Sequence, residues 1–362
     1  MKKIVTVVGA RPQFIKAAAV SHKLREHFTE ILVHTGQHYD YNMSDCFFEE
    51  LSIPKPDYNL GIQGASHGQM TGEMLIAIEK LLLAEKPDML LVYGDTNSTL
   101  AAALAAAKLA IPIAHVEAGV RTGSITNPEE INRRCTDCIA SLNLVCTNLS
   151  LENLQGENLG KTAHFVGDPM YDAFINFGQK ARQAHHSLTL NSGKTVEIPE
   201  KFYYLTCHRQ ENTACDDTLI EILSAMQALP HPTIYPVHPR NKQRAAAICK
   251  DNKFSNIILC QPVGYLTSIY LVSKALEVVT DSGGLQREAF FAEVQCVTVL
   301  PFPVWQETLV DNRNVLCAPR REEILEKLGA KQHIDKNYHP FGEGNSAENI
   351  IKCMTDFFKE KD

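Results

Sequence analysis

The sequence predicts an α/β protein built from two Rossmann-like parallel-sheet domains facing a cleft, and three observations carry that expectation. Short apolar runs alternate with amphipathic stretches from the first residue onward, the pattern of parallel strands joined by crossover helices. The alternation lapses once, near Asn191 to Pro199, and then begins again. At 362 residues the chain exceeds the size at which one core usually stops growing, so two cores are expected.

In the first array the expected strands are Ile4 to Gly9, Ile31 to Thr35, Met89 to Tyr93, Ile113 to Val116, Leu144 to Cys146 and His164 to Val166. Helices fill the gaps, among them Phe14 to His27 and the Ala-rich Ser98 to Leu109, whose composition favours helix. The second array opens with Tyr203 to Thr206 and continues through Thr233 to Pro236, Ile257 to Cys260, Val278 to Thr280, Cys296 to Leu300 and Val315 to Leu316, with a helix at Thr218 to Leu229. Residues 1–168 form the expected first domain, with a terminal helix at 345–362 packing back on it, and residues 169–344 form the second.

Composition narrows the function. A net charge of −7 with no basic run argues against nucleic acid and anionic membranes as partners. An anionic ligand would need local Arg, Lys and backbone donors. The first apolar stretch meets Gly9 and Arg11 before a signal-peptide core could form, and no run reaches the roughly 20 apolar residues that span a bilayer, so a soluble, cytoplasmic protein is expected. Eleven cysteines at irregular spacing, mostly in apolar segments, fit reduced, buried thiols. Cys135 and Cys138 have CxxC spacing, but no second pair completes a zinc site. No metal is expected.

Open parallel sheets bind ligands beyond the carboxyl ends of their strands, and polar residues collect there. Gly9-Ala10-Arg11-Pro12 lacks the GxGxxG fingerprint, which argues against NAD. Arg11 offers a planar fork for a phosphate or carboxylate and Lys16 a second positive charge, or both simply cap and solvate the turn. Asp95 ends one strand, where it is either a helix cap or an acid; Glu117 ends the next, and strands about 5 Å apart could bring the two carboxylates together. Asn127, Pro128 and Glu130 read as a capping box, which leaves Glu129 at the second helical position free to project. In the second array His208 and Arg209 end the first strand and His238 and Arg240 follow the next. Asp281-Ser282-Gly283-Gly284 is a strand, glycine turn and helix start suited to a diphosphate, or an ordinary tight turn; Glu288 stands about one turn on, within reach of ribose hydroxyls.

In order and spacing, Gly-Ala-Arg-Pro with Ile15-Lys16, Tyr93-Gly94-Asp95-Thr96, His115-Val116-Glu117-Ala118-Gly119, Pro128 to Arg133, Cys207-His208-Arg209 through Asn212, and Asp281-Ser282-Gly283-Gly284 resemble the non-hydrolysing UDP-N-acetylglucosamine 2-epimerases. The resemblance spans almost the whole chain. It implies a two-lobed GT-B fold, a homodimer, a UDP-sugar substrate and no cofactor, neither NAD nor PLP. It also implies elimination of UDP after loss of the carbon-2 proton, then reprotonation on the opposite face. Asp95, Glu117, Glu129 and His208 match the family's catalytic positions. Arg11, His208, Arg240, Ser282, Gly283, Gly284 and Glu288 match its nucleotide side.

Three departures stand out. Where many bacterial members carry a Thr-Glu-Arg-Pro-Glu stretch, this chain reads Pro301-Phe302-Pro303-Val304-Trp305-Gln306-Glu307-Thr308, which resembles relatives handling modified sugars, including diacetamido-glucuronic acid; if the substrate is such a sugar, Trp305 and its neighbours are expected to line the sugar side. Gln37-His38-Tyr39-Asp40 keeps the Gln-His pair but loses the second polar amide of the family's allosteric site, which argues against regulation by substrate. Cys138 replaces a common His after Asp137. A GT-B glycosyltransferase, a non-catalytic nucleotide-sugar sensor and a hydrolysing relative are the alternative readings; a product epimer formed from donor alone separates the first of these.

Overall fold

A computed structural model describes residues 1–37, 50–64, 66–124 and 126–361, the side chains of Gln210 and Glu211 excepted. His38, Tyr39, Asp40 and Cys46 lie outside the described residues. The chain forms two compact units, Met1–Asn176 with His339–Asp362, and Phe177–Tyr338. These breaks fall at 176/177 and 338/339, where the sequence reading divides the chain at 168/169 and 344/345.

The first unit holds a seven-stranded sheet of β1 (Lys3–Val8), β2 (Thr29–His34), β3 (Tyr58–Asn59), β4 (Met89–Tyr93), β5 (Ile113–Ala118), β6 (Leu142–Val145) and β7 (Ala163–Phe165). All pairs are parallel, in the order β3-β2-β1-β4-β5-β6-β7. Its helices include α1 (Arg11–His27), α2 (His67–Glu85), α3 (Asn97–Lys108), α4 (Pro128–Ile139), α5 (Asn148–Gly156) and α6 (Pro169–Gln183), inside which the unit boundary falls. Val5, Val7, Leu90 and Val92 bury one face of the sheet against Met74, Ile78 and Leu82 of α2 and Ala101, Ala102 and Ala105 of α3. The alanines let α3 lie close. That closeness makes Gly9 obligatory, because a Cβ there would sit 2.2 Å from both Ser98 Oγ and Thr35 Oγ1.

The second unit begins with the antiparallel hairpin β8 (Ser187–Thr189) and β9 (Thr195–Glu197), which occupies the segment where the strand-helix alternation lapses. Its six-stranded parallel sheet runs β12-β11-β10-β13-β14-β15, from β10 (Tyr203–Thr206), β11 (Thr233–Pro236), β12 (Ile257–Cys260), β13 (Val278–Thr280), β14 (Cys296–Thr298) and β15 (Asn314–Leu316). Helices α7 (Gln210–Thr213), α8 (Asp216–Gln227), α9 (Lys242–Asp251), α10 (Tyr265–Lys274), α11 (Gly283–Phe291) and α12 (Arg321–Leu328) belong to this unit, and α13 (Ser346–Lys359) returns to the first. Both sheets reverse direction next to their first strand, at β1/β4 and at β10/β13. Such a switch point is where an open sheet leaves a crevice for ligand.

No helix among the described residues is long and apolar enough to cross a membrane. The ten described cysteines are all unbridged; Cys146, Cys207, Cys249, Cys260, Cys296 and Cys317 are buried as expected, but Cys135, Cys138 and Cys215 are exposed. Helix periodicity explains Cys135 and Cys138, which lie on the outer face of α4.

Glu277, at the entry to β13, is a carboxyl that burial pushes up to about 7, and its Oε2 has no hydrogen-bond partner. An unfolded glutamate releases its proton near 4.5. This group therefore favours the folded state at low pH, and its contribution is lost as pH rises through about 7. Glu277→Gln is expected to raise the melting temperature at about pH 8 and to leave it nearly unchanged at about pH 4; equal effects at both values in a thermal melt would refute this origin.

Candidate active site

In the first unit the side chains converge on the turn after β4. Lys16, one turn into α1, is drawn inward, and its Nζ lies 2.6 Å from Glu117 Oε2, with side-chain exposures of 2% and 7%. Glu117 adopts φ +68° where the β5–β6 register slips between Val116 and Ala118. A bulge at a left-handed, non-glycine residue re-aims a side chain at the cost of local strain. Here it turns Glu117 toward Gly94, whose own φ is +64° and whose missing Cβ would lie 3.4 Å from Glu117 Oε1 and 3.5 Å from Lys16 Nζ.

Asp95 follows at once. Its carboxylate pairs with Arg133 of α4, and its carbonyl accepts from Asn132 Nδ2 at 2.9 Å. Thr96, not Asp95, caps α3, accepting from Thr99 N at 3.3 Å. Glu129 is exposed at the second position of α4. Asn127 caps that helix by accepting from Glu129 N at 2.9 Å, but the expected capping box does not form. Glu130 instead turns away and accepts from Thr122 N and Oγ1, both at 3.0 Å, while pairing with Arg133 and Arg134. Burial would raise its carboxyl, yet the Thr122 and arginine donors outweigh it and hold it below the usual range. Competing donors at hand displaced the local cap.

Two residues missed by the sequence reading hold this turn in place. Gln13 accepts from Gly9 N at 2.8 Å and Ala10 N at 3.0 Å and donates to Tyr93 O at 2.7 Å, clamping the turn after β1, which carries Arg11, to the end of β4. His115 of β5 is fully buried, with Nε2 at 2.7 Å from Gly94 O and Nδ1 at 2.8 Å from Asp137 Oδ1. The signal for Gln13 was its place one turn into a helix after a glycine turn. Nothing local marked Asp137 as the partner of a residue on another strand.

Among the described residues one trio, Glu117, Cys146 and Asp168, brings potential metal-ligand atoms within 4.8 Å of one another. The ammonium of Lys16 already supplies a cation at Glu117.

In the second unit Asp281, almost fully buried at the end of β13, gathers the turn after β10. It accepts from His208 N at 3.0 Å, Arg209 N at 2.9 Å and Asn212 Nδ2 at 3.3 Å, and His208 Nδ1 lies 3.3 Å from its Oδ1. The imidazole of His208 remains exposed. Ser282 caps α11, its Oγ accepting from Leu285 N at 3.4 Å, and Gly283 and Gly284 open that helix. Val304 packs over Gly283, where a Cβ would approach its Cγ1 to 3.0 Å. Glu288 is buried on α11, and Arg240 is exposed in the turn after β11, where its N–H donates to His238 Nδ1 at 3.3 Å. Trp305 departs from expectation. It is 3% exposed under the guanidinium of Arg287, 4.0 Å from the ring centroid, and so is packing rather than lining. A large ring beside a buried cation gains more from that stacking than from solvent.

The model of one protein family, described as UDP-N-acetylglucosamine 2-epimerase, matches residues 22–355. The chain is 45% identical over 357 residues to a UDP-N-acetylglucosamine 2-epimerase homolog of Methanococcus maripaludis, covering 97% of this chain and 99% of the relative. It is 42% identical over 364 residues to the UDP-2,3-diacetamido-2,3-dideoxy-D-glucuronate 2-epimerase of Pseudomonas aeruginosa, again covering 97% and 99%. Among solved structures it resembles the crystal structure of the Methanocaldococcus jannaschii UDP-GlcNAc 2-epimerase in complex with UDP-GlcNAc and UDP. The TM-score there is 0.88 at 35% identity, over 98% of this chain and 99% of that one.

Proposed function

The chain belongs to the UDP-N-acetylglucosamine 2-epimerase family of isomerases, and from that premise we propose that it inverts carbon 2 of a UDP-linked acetamido sugar by eliminating and re-adding UDP, without a redox cofactor or metal. The observation that carries this reading is the buried Lys16–Glu117 pair at 2.6 Å set against the Gly94–Asp95 turn. It places two carboxylates of different environment around one turn, one tied to an ammonium and one to a guanidinium. Different surroundings let two acids play different parts.

In this reading a carboxylate among Asp95, Glu117 and Glu129 removes the carbon-2 proton. The electron pair of that C–H bond forms the carbon-1 to carbon-2 double bond as the carbon-1 to oxygen bond breaks, and the diphosphate leaves with its electrons. A second acid delivers a proton to the opposite face of carbon 2, and the diphosphate oxygen re-attacks carbon 1. Cationic and N–H donors stabilise the departing charge. Arg11, His208, Arg209, His238, Arg240 and the Ser282-Gly283-Gly284 turn are assigned to UDP, with Glu288 on the ribose. In this reading the protein is a soluble cytoplasmic homodimer, and sedimentation is expected to give twice the chain mass; a monomeric mass would contradict it.

The substrate has two candidates. The segment Pro301 to Thr308 supports a diacetamido-uronate, while the identities of 45% to the Methanococcus maripaludis UDP-N-acetylglucosamine 2-epimerase homolog and 42% to the Pseudomonas aeruginosa enzyme keep both donors in play. Incubation of each UDP-sugar in deuterium oxide tests this: the true substrate gains deuterium at carbon 2 and yields its epimer, with rates unaffected by EDTA. Exchange in neither donor, or activity abolished by EDTA and restored by a divalent ion, sinks the corresponding part of the proposal.

A further inference from the structure

We propose that His115 is a buried, doubly protonated imidazolium whose two N–H bonds lock together the turns that carry Asp95 and Glu117. The inference rests on the proposed epimerase reading only for its functional consequence; the protonation state follows from the hydrogen bonds. Nε2 faces the carbonyl oxygen of Gly94 at 2.7 Å. Nδ1 faces Asp137 Oδ1 at 2.8 Å. A carbonyl oxygen and a carboxylate only accept, so each ring nitrogen needs its own proton to make its bond. A neutral ring would set a lone pair against one of two oxygens in a fully buried site.

Asp137 is able to serve as counter-ion. Burial alone would raise its carboxyl, but the hydrogen bonds and charges of His115 and Arg121 outweigh burial and hold it below its ordinary range. Its second oxygen accepts from Gly119 N at 3.2 Å and pairs with Arg121 at 2.7 Å. The groups facing the ring from neighbouring elements are therefore Asp137 of α4, Arg121 of the loop after β5, and Asn143 of β6, which stands beside His115 in the sheet. Asn143 Nδ2 donates to Asp137 O at 3.0 Å.

Charge balance points the same way. Lys16, Arg121, Arg133 and Arg134 supply four positive charges against the five carboxylates of Glu117, Asp137, Glu157, Asp95 and Glu130, with Arg134 pairing with both Glu130 and Glu157. An imidazolium at His115 adds a positive charge to this carboxylate-rich network. It also joins Gly94, the residue before Asp95, to the helix whose other partner is Gly119, two residues past Glu117. His115 is thus a positioning residue. It touches no reacting atom but fixes the separation of the two that carry acids.

Nitrogen-15 NMR of histidine-labelled protein at about pH 7.5, where a free imidazole is mostly neutral, tests the protonation state directly. One histidine is expected to show both ring nitrogens protonated and to vanish from the spectrum in His115→Gln. A neutral-tautomer signal for that residue overturns the proposal. In kinetics, His115→Gln, which keeps at most one of the two bonds, is expected to lower kcat by about 10- to 100-fold, the scale of a small misplacement of catalytic groups, with KM and UDP affinity within about threefold. A folded variant with wild-type turnover overturns the positioning role. If the wild-type chain epimerises neither donor, the functional reading fails, while the NMR result on wild-type protein still decides the imidazolium.

Discussion

Glu117→Gln is expected to lower turnover at least about 100-fold, the scale for loss of a positioned acid or base, while UDP affinity stays within several-fold. The reason lies in the bulge at β5: its left-handed φ of +68° aims this one carboxylate at Gly94 and Lys16, and a neutral amide in the same place can neither take a proton nor balance the ammonium. Lys16→Met probes the other half. It leaves the carboxylate, 7% exposed, without its cation, and breaking one side of a buried pair costs about 3–5 kcal/mol. The expected result is a melting temperature lower by roughly 2–4 °C for each kcal/mol, together with lost turnover. Calorimetry and steady-state kinetics on the two variants separate the effects. Normal epimerisation by a folded Glu117→Gln protein would remove Glu117 from the chemistry altogether.

The second large effect is expected from Asp281→Ala. That carboxylate is 1% exposed and satisfies two backbone N–H groups, of His208 and Arg209, and the amide of Asn212. Removing it orphans buried donors at about 1–3 kcal/mol each and frees the turn assigned to the nucleotide. UDP affinity measured by titration calorimetry should fall at least about tenfold, equivalent to 1.4 kcal/mol. Ser282→Ala removes the cap of α11, worth about 1 kcal/mol, together with one hydroxyl assigned to UDP, so it should weaken binding by less than Asp281→Ala. The first-unit and second-unit variants thus divide turnover from binding. Unchanged UDP affinity in Asp281→Ala would detach the β10 turn from nucleotide binding.

What the sequence made legible were features written in consecutive residues. The strand runs, the glycine turns, and the acids at strand ends all declare themselves by periodicity and by position, and the alternation of strand and helix was enough to foresee two parallel sheets. What it concealed were partnerships over long separations. Glu130 reads as a local cap because its spacing from Asn127 is right; only the fold brings Thr122 round to join Arg133 and Arg134, one turn along the same helix, in outcompeting the cap. Trp305 reads as a ligand-lining ring until Arg287 is found stacked on it, 18 positions upstream. His115 and Asp137 lie 22 residues apart, and Asp281 sits 73 from His208. Hydrogen-bond donors and acceptors carry no mark of their distant partners, so the groups that hold a site in place are harder to see than those displayed in it.

The return of α13 to the first unit sets an order for assembly on the ribosome. The carboxylate of Asp172 accepts from Ser346 N at 3.1 Å and Ala347 N at 2.9 Å, and Phe358 packs on Phe28 with ring centroids 5.9 Å apart. The second unit is continuous from Phe177 to Tyr338 and can close as soon as it emerges. The first, although synthesised earlier, lacks α13 until that helix has been made and has left the exit tunnel. At ~5–20 residues per second, its unfinished α1 face waits through the synthesis of the whole second unit. A released chain truncated after residue 345 should therefore be digested by protease in its first half while its second half resists.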